Sequence, residues 1–345
     1  MLQIQEQIRL APHTTLQVGG PARFYAEINT EAELLEALAF TGPIFVLGGG
    51  SNVLVPDSGF DGLVLHLTIA GPIVDNGPLV EVPAGTEWDA LVLNLCEQGR
   101  SGMECLAGIP GLVGGAPIQN IGAYGQEVAE TIHSVRAYDR QSREFVVLPR
   151  EACHFAYRSS LFNTTERNRY IVTSVIFALD PEAKPNLTYA DLRNHFGPAA
   201  TPTPMEVYGA VRQIRATKGM LLVEGDPDCR SAGSYFKNPI VPPQALAPIA
   251  SALGIQESSI PSYPAPAGNI KLPAAWLLDR AGFHKSFTLG EAGISSRHTL
   301  ALINRGHATY ADITRLRALI VETVASRFGI PLEQEPVELG SEPHV

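Results

Sequence analysis

A chain of 345 residues with 45% hydrophobic and 17% charged side chains can build two or three domains with sizeable cores, and it is too apolar for a disordered protein. Its formal net charge of -10, with no basic run, excludes a general nucleic-acid binder, because neutralising phosphates takes clustered Lys and Arg. The opening MLQIQEQIRLAPH lacks a basic stretch followed by an apolar one, and no uncharged apolar segment reaches the ~20 residues of a membrane span. A cytoplasmic protein is expected, without nucleic-acid or membrane partners, acting as a monomer. Cys96, Cys105, Cys153 and Cys229 lie far apart with no CxxC pair, which predicts reduced structural thiols and neither a metal site nor a redox motif.

In chain order, ARFYAEI reads as a strand, EAELLEALAF as a helix and IFVLGGG as a strand running into a glycine turn, the pattern of a small α/β unit. A second unit is expected to begin near LVLHL. There LVEVPAG predicts a strand and EWDALVLNLCEQG an amphipathic helix closed by a glycine, followed by a long loop and the strands SVRAYDR, EFVVLP and RYIVTSVIFAL. After the linker GPAATPTP, the helix MEVYGAVRQIRATKG is expected to open a separate α+β unit. That unit continues through a strand at SYFKNPIV, the helix PPQALAPIASALG, a helix carrying Trp276, the strand TLALIN and the helix YADITRLRALIVETVASRFG.

Two glycine-rich segments carry the first chemical signal. In VLGGGSNVLV, the backbone N–H groups of Gly48, Gly49 and Gly50 can approach an anion without Cβ obstruction, and Ser51 and Asn52 add side-chain donors. This is a phosphate cradle of neither the G-x-G-x-x-G nor the P-loop type, and a simple tight turn fits the same residues. The second segment, GMECLAGIPGLVGGAPIQNIGAYGQE, is a long loop whose apolar residues argue against disorder. A bare backbone beside apolar walls suits a pyrophosphate joined to a flat ring such as a flavin.

TTLQVGGPARFY, VLGGGSNVLV, LAGIPGLVGGAPIQNIGAYGQE, YRSSLF, GSYFKNP and AAWLLDRAG, in this order and across nearly the whole chain, together resemble the UDP-N-acetylenolpyruvoylglucosamine reductase family. The resemblance implies an α+β fold. A vanillyl-alcohol-oxidase (PCMH)-type FAD-binding region, about residues 15–182, would comprise two α/β subdomains, residues 1–67 and 68–203, with a C-terminal α+β substrate-binding domain over residues 204–345. It implies noncovalent FAD, NADPH as hydride donor, and reduction of a UDP-sugar enolpyruvyl ether to UDP-N-acetylmuramate for peptidoglycan. Neither glycine segment contains a histidine to which a flavin could be linked, and His13 reads as a surface residue. Cofactor contacts implied are Gly48, Gly49, Gly50, Ser51, Asn52, Gly108, Pro110, Gly111, Gly114, Gly115, Ala116, Ile118, Gly122, Tyr124 and Ile171.

Hydride addition to C3 of an enolpyruvyl ether puts negative charge on the carboxylate and C2, so the site needs a fixed cation and then an acid. Arg158 in FAYRSSLF suits the first task, since a guanidinium stays charged and forks onto carboxylate oxygens; an isolated Arg is more often a surface ion pair. Ser234 is the implied proton donor to C2, although such a serine commonly just bonds a backbone group. The family's third catalytic group is a glutamate in a C-terminal L-x-x-E-V pattern. PLEQEPVELG places Glu335 there, but a proline precedes the valine, which leaves Glu333 and Glu338 as lesser candidates.

Strict alternation along a strand would put Lys237 opposite Ser234 and Asn238 on Ser234's face, as a substrate ligand. The resemblance adds Tyr189 of LTYADL as a lid over the diphosphate, Arg215 and Lys218 of RATKG as diphosphate or cofactor contacts, His298, and Tyr124 near both flavin and substrate. Arg215 and Lys218 lie three apart, an anion clamp or an ordinary exposed pair. KGMLLVEGDPDCRSAGS reads as a surface loop. Two other readings share parts of this pattern: a PCMH-type flavin oxidase or dehydrogenase acting on a sugar or alcohol, which has no need of the Arg158, Ser234 and Glu335 set, and a nucleotide-sugar binder that has lost its flavin.

Overall fold

The computed structural model describes residues 2–180 and 182–340; the expected domain ends at residues 1 and 341–345 lie outside them. The first unit runs through β1 (Gln5–Arg9), β2 (Pro21–Ile28), α1 (Glu31–Ala37), β3 (Ile44–Leu47), the short β4 (Val53–Leu54) and β5 (Phe60–Leu67). Helix α1 starts where Thr30 accepts a hydrogen bond from the Glu33 N–H, with Glu31 and Glu33 in its positive first turn. β5 inserts between β2 and β3, parallel to both, giving the order β1-β2-β5-β3. Its consecutive buried residues Leu63, Val64 and Leu65 are what a strand covered on both faces requires. LVLHL therefore ends the first unit instead of opening the second.

The second unit contains β6 (Val74–Asn76), β7 (Leu79–Pro83), α2 (Trp88–Glu97), the hairpin β8 (Gly122–Ala123) and β9 (Gln126–Glu127), then β10 (Ile132–Asp139), β11 (Glu144–Pro149) and β12 (Tyr170–Ala178). Apart from the hairpin, these strands form an antiparallel sheet ordered β11-β10-β12-β7-β6. Ile171 and Tyr138 from this sheet share a core with Ala26, Ile28 and Leu65 of the first. Beside it, the Arg136 guanidinium donates to both Glu31 carboxylate oxygens at 2.9 and 3.0 Å.

Helices α3 (Ala190–Phe196) and α4 (Pro204–Thr217) follow. Thr203 and Glu206 close a capping box around Pro204 at the first turn of α4. The apolar face of α4, Val207, Tyr208, Ala210 and Val211, fills the same core as Leu91, Val92 and Leu95 of α2. This corrects the expectation that α4 opens the C-terminal unit: its partner is α2.

That unit is built from β13 (Ile240–Val241), α5 (Leu246–Leu253), β14 (Tyr263–Pro264), β15 (Ile270–Lys271), α6 (Ala274–Ala281), β16 (Thr288–Leu289), β17 (Ala292–Ile294), β18 (Leu302–Asn304) and α7 (Tyr310–Phe328), closed by β19 (Val337–Glu338). The strand expected at SYFKNPIV is only partly one. Gly233 has φ +72°, and the segment changes partners, with single bridges from Ser231 to Ile303 and from Phe236 to Gln334 before the ladder of β13. Tyr235 and Phe236 are both buried, at 0% and 1% exposure, so the segment is covered on both faces. β19 pairs parallel with β4, so the C-terminal segment returns to the first glycine turn. No helix among the described residues is long and apolar enough to cross a membrane.

Candidate active site

The two glycine segments meet. A Cβ on Gly49 would stand 2.5 Å from the Gly111 Cα, and one on Gly50, at φ +63°, 1.9 Å from the His13 carbonyl oxygen, so neither position admits a side chain. The side-chain donors expected at this turn are already engaged. Ser51 Oγ donates to the Pro110 carbonyl at 3.0 Å, while Asn52 Nδ2 donates to Gln119 and to the Glu335 carbonyl.

Other glycines serve the fold. A Cβ on Gly114 would lie 2.7 Å from that of Ala84. The Gly108 turn is gripped from both sides, its N–H donating to Asp89 at 2.6 Å and its carbonyl accepting from Arg215 Nε at 3.1 Å. Ala116 is buried, Ile118 offers its carbonyl to Ser160 Oγ, and Ile171, 2% exposed, belongs to the core between the sheets and not to an open wall. By contrast a Cβ on Gly48 or Gly115 would meet nothing within 4 Å. Along Gly49 and Leu112 runs a cavity of about 650 Å³. Bare backbone facing open space beside a cavity of this size fits a dinucleotide cofactor.

Arg158 sits at the second central position of a tight turn whose ends, Ala156 and Ser159, exchange backbone hydrogen bonds at 2.9 and 3.0 Å. Its φ of +53° is costly for a non-glycine residue and aims the guanidinium inward. Nη2 donates to the Gly122 carbonyl at 2.8 Å, and Nε lies 3.3 and 3.2 Å from the two Glu335 carboxylate oxygens. Burial raises the Glu335 pKa, opposed by Arg158. Glu333 is exposed and paired with Lys237, and Glu338 is held by Tyr310 and Arg317. Of the three carboxylates, Glu335 is the one paired with Arg158.

Ser234 is half-buried, and its hydroxyl makes no hydrogen bond among the described residues, so it is not the backbone-bonded strand serine. The Glu335 N–H donates to the Tyr235 carbonyl at 2.9 Å, which lays the Glu335 segment alongside the residue following Ser234. Asn238 spends its Oδ1 on the Ala274 N–H at the start of α6, at 2.8 Å. Sequence reasoning missed Tyr157 and Lys271. The Tyr157 hydroxyl lies near Asn238, and Lys271 Nζ sits 4.7 Å from its ring centroid. Tyr157 was within reach as the neighbour of Arg158; Lys271 carried no local signal.

A cationic corner adjoins this group. Tyr124 and Gly125, at φ +49° and +81°, form the turn of the β8–β9 hairpin, a type that needs positive φ at both positions. The exposed Tyr189 packs edge-on against Tyr124 with centroids 5.4 Å apart, and Lys218 Nζ is 5.5 Å from the Tyr124 ring. Lys218 is paired with Asp191 of α3. His298 accepts from the Leu300 N–H through Nδ1 at 3.2 Å, leaving Nε2 as the donor of the neutral ring. Burial, then Lys218, Lys285 and Arg215, holds its pKa down at about 4. Arg215 departs from expectation: at 7% exposure it donates to the carbonyls of Gly108 and Met220. It is a buried brace for the Gly108 turn and not half of an exposed clamp.

Facing glycine turns, a dinucleotide-sized cavity and a partly buried Arg–Glu pair, whose segment bonds the residue after an unengaged serine, fit the class of redox enzymes that bind a dinucleotide cofactor. The profile of an FAD binding domain matches residues 22–146, and that of the UDP-N-acetylenolpyruvoylglucosamine reductase C-terminal domain matches residues 226–339. The chain belongs to the UDP-N-acetylenolpyruvoylglucosamine reductase family. It is 42% identical to the reductase of that name from Thermobifida fusca over 96% of this chain and 97% of the relative, and 44% identical to that from Streptomyces coelicolor over 96% and 89%. The crystal structure of UDP-N-acetylenolpyruvylglucosamine reductase from Thermus caldophilus superposes with a TM-score of 0.68 at 28% identity, covering 98% of this chain and 99% of that one.

Proposed function

We propose that the protein reduces the enolpyruvyl group of UDP-N-acetylglucosamine enolpyruvate to UDP-N-acetylmuramate, a cytoplasmic step of peptidoglycan precursor synthesis. The observation that carries this reading is the Arg158–Glu335 pair beside the unengaged Ser234 hydroxyl. The turns at Gly48–Gly50 and Gly111–Gly115 would hold FAD, which would supply the hydride chemistry between NADPH and C3 of the enolpyruvyl group.

The protein's own groups do the rest. Arg158 turns its guanidinium to the substrate carboxylate and neutralises the charge that grows there and on C2. Ser234 gives its hydroxyl proton to C2. Glu335 orients Arg158 and shares the charge of the enol. Lys218 and the donor nitrogen of His298 meet the diphosphate, Tyr189 folds over it from its rest on Tyr124, and Asn238 and Tyr157 line the substrate beside Lys271. With α4 assigned to the flavin-binding part, the substrate unit starts after Lys218 and not at residue 204.

The test is anaerobic addition of NADPH to the purified protein, followed by the enolpyruvyl sugar nucleotide. Bleaching of the flavin band and then its recovery on adding substrate is the expected result. Bleaching without recovery would instead favour an oxidase or dehydrogenase of another substrate.

A further inference from the structure

His13 and His66 flank the first glycine turn from two different elements. The His13 carbonyl is the atom that a Gly50 side chain would strike, and the Thr15 N–H donates to the Gly50 carbonyl at 3.1 Å. His66 pairs with Leu47, the residue just before the turn. Both imidazoles line the cavity that Gly49 lines, and their ring centroids are 5.7 Å apart.

Beneath them the buried Tyr25 hydroxyl lies 2.7 Å from His66 Nδ1, 3.3 Å from His13 Nδ1 and 3.4 Å from Glu27 Oε1. A phenol has one proton, and it goes to the nearest acceptor, His66 Nδ1. His66 then carries its own proton on Nε2, whereas His13 donates Nδ1–H to the Tyr25 oxygen and offers Nε2–H as a second donor in its imidazolium form, in which both ring nitrogens carry protons. Burial, then His13, keeps the His66 pKa low, as suits a neutral ring of fixed tautomer. Neither Nε2 has a partner among the described residues. The charged residues lining the same cavity are Glu87, Glu224, Asp226 and Arg230, of which Asp226 is paired with Arg297.

We propose that His13 and His66, oriented by Tyr25, form the side-chain half of an anion site whose backbone half is the Gly48–Gly50 turn, and that its ligand is the diphosphate bridge of the flavin dinucleotide. The assignment rests on the FAD reading above. It gives the turn the side-chain donors that Ser51 and Asn52, engaged elsewhere, do not supply.

The test uses the full-length holoenzyme and reads FAD dissociation by flavin fluorescence on dilution, with ADP and adenosine as competitors. Two double variants separate the nitrogens: His13→Asn with His66→Asn keeps a polar atom near each Nδ1 and removes the outward one, whereas His13→Gln with His66→Gln keeps the outward one. The Asn pair should raise the FAD Kd at least about tenfold and remove the advantage of ADP over adenosine, while the Gln pair stays within about threefold of wild type. An Asn pair that binds FAD as tightly as wild type, or in which ADP keeps its advantage, overturns the proposal. A wild-type protein that holds no FAD overturns the cofactor reading itself, a different result.

Discussion

The glycine segments and the edge formed by Ser231–Asn238 against Glu333–Glu338 use opposite means to the same end. In the glycine segments most groups are consumed by the fold: Gly114 lies on Ala84, Gly49 on Gly111, and Gly108 is clamped by Asp89 and Arg215. What remains for a ligand is space, at Gly48 and Gly115. At the edge the backbone is consumed, through Lys237 N–H to the Glu333 carbonyl and Glu335 N–H to that of Tyr235, and what remains are side chains. A rich motif thus mixes residues required for closure with residues required for binding, and the difference lies in what each would touch.

The sharpest challenge to this contrast falls on Ser234. Ser234→Ala should leave flavin content and its reduction by NADPH near normal while slowing reoxidation by substrate roughly 10²–10⁴-fold, the range for a positioned acid. Ser234→Cys, which retains a proton, should recover part of the rate. Stopped-flow of each half-reaction decides it, and equal slowing of both would make Ser234 structural.

His298 sharpens the comparison through pH. Its pKa in the folded protein, about 4, lies below the ordinary 6.5, so the unfolded chain takes up a proton that the native state refuses. The neutral ring's contribution is complete above pH 6.5 and is lost as pH falls toward 4, up to about 3 kcal/mol. Denaturant melts should therefore show wild type losing stability relative to His298→Gln across that window; parallel pH curves would remove His298 from the cationic corner.

Gly114 and Gly115 are neighbours with opposite expected responses. Gly114→Ala drives a methyl into Ala84 and should cost about 1–3 kcal/mol in thermal melts, with flavin kept where the protein folds. Gly115→Val should melt like wild type yet weaken flavin binding about tenfold or more. Full flavin retention in Gly115→Val would break the distinction between closing and binding glycines.

The smallest effect is expected at the exposed Tyr189, where Tyr189→Ala should raise the substrate KM several-fold and relieve any substrate inhibition that arises from NADPH and substrate sharing one cleft. Unchanged steady-state kinetics would remove the lid.

Much of this was legible in the chain alone. Motif order identified the family, apolar period located α1, α2 and α7, and Arg158, Ser234, Tyr124 and Lys218 lie in motifs that announce them. Those features are local: a turn needs its glycine and a helix its apolar stripe whatever the surroundings. Tertiary structure alone decided that α4 packs on α2, that Arg215 is a buried brace, and that His13 and His66 share Tyr25. Each of those outcomes depends on which distant surface a side chain meets, and residue type and spacing do not carry that information.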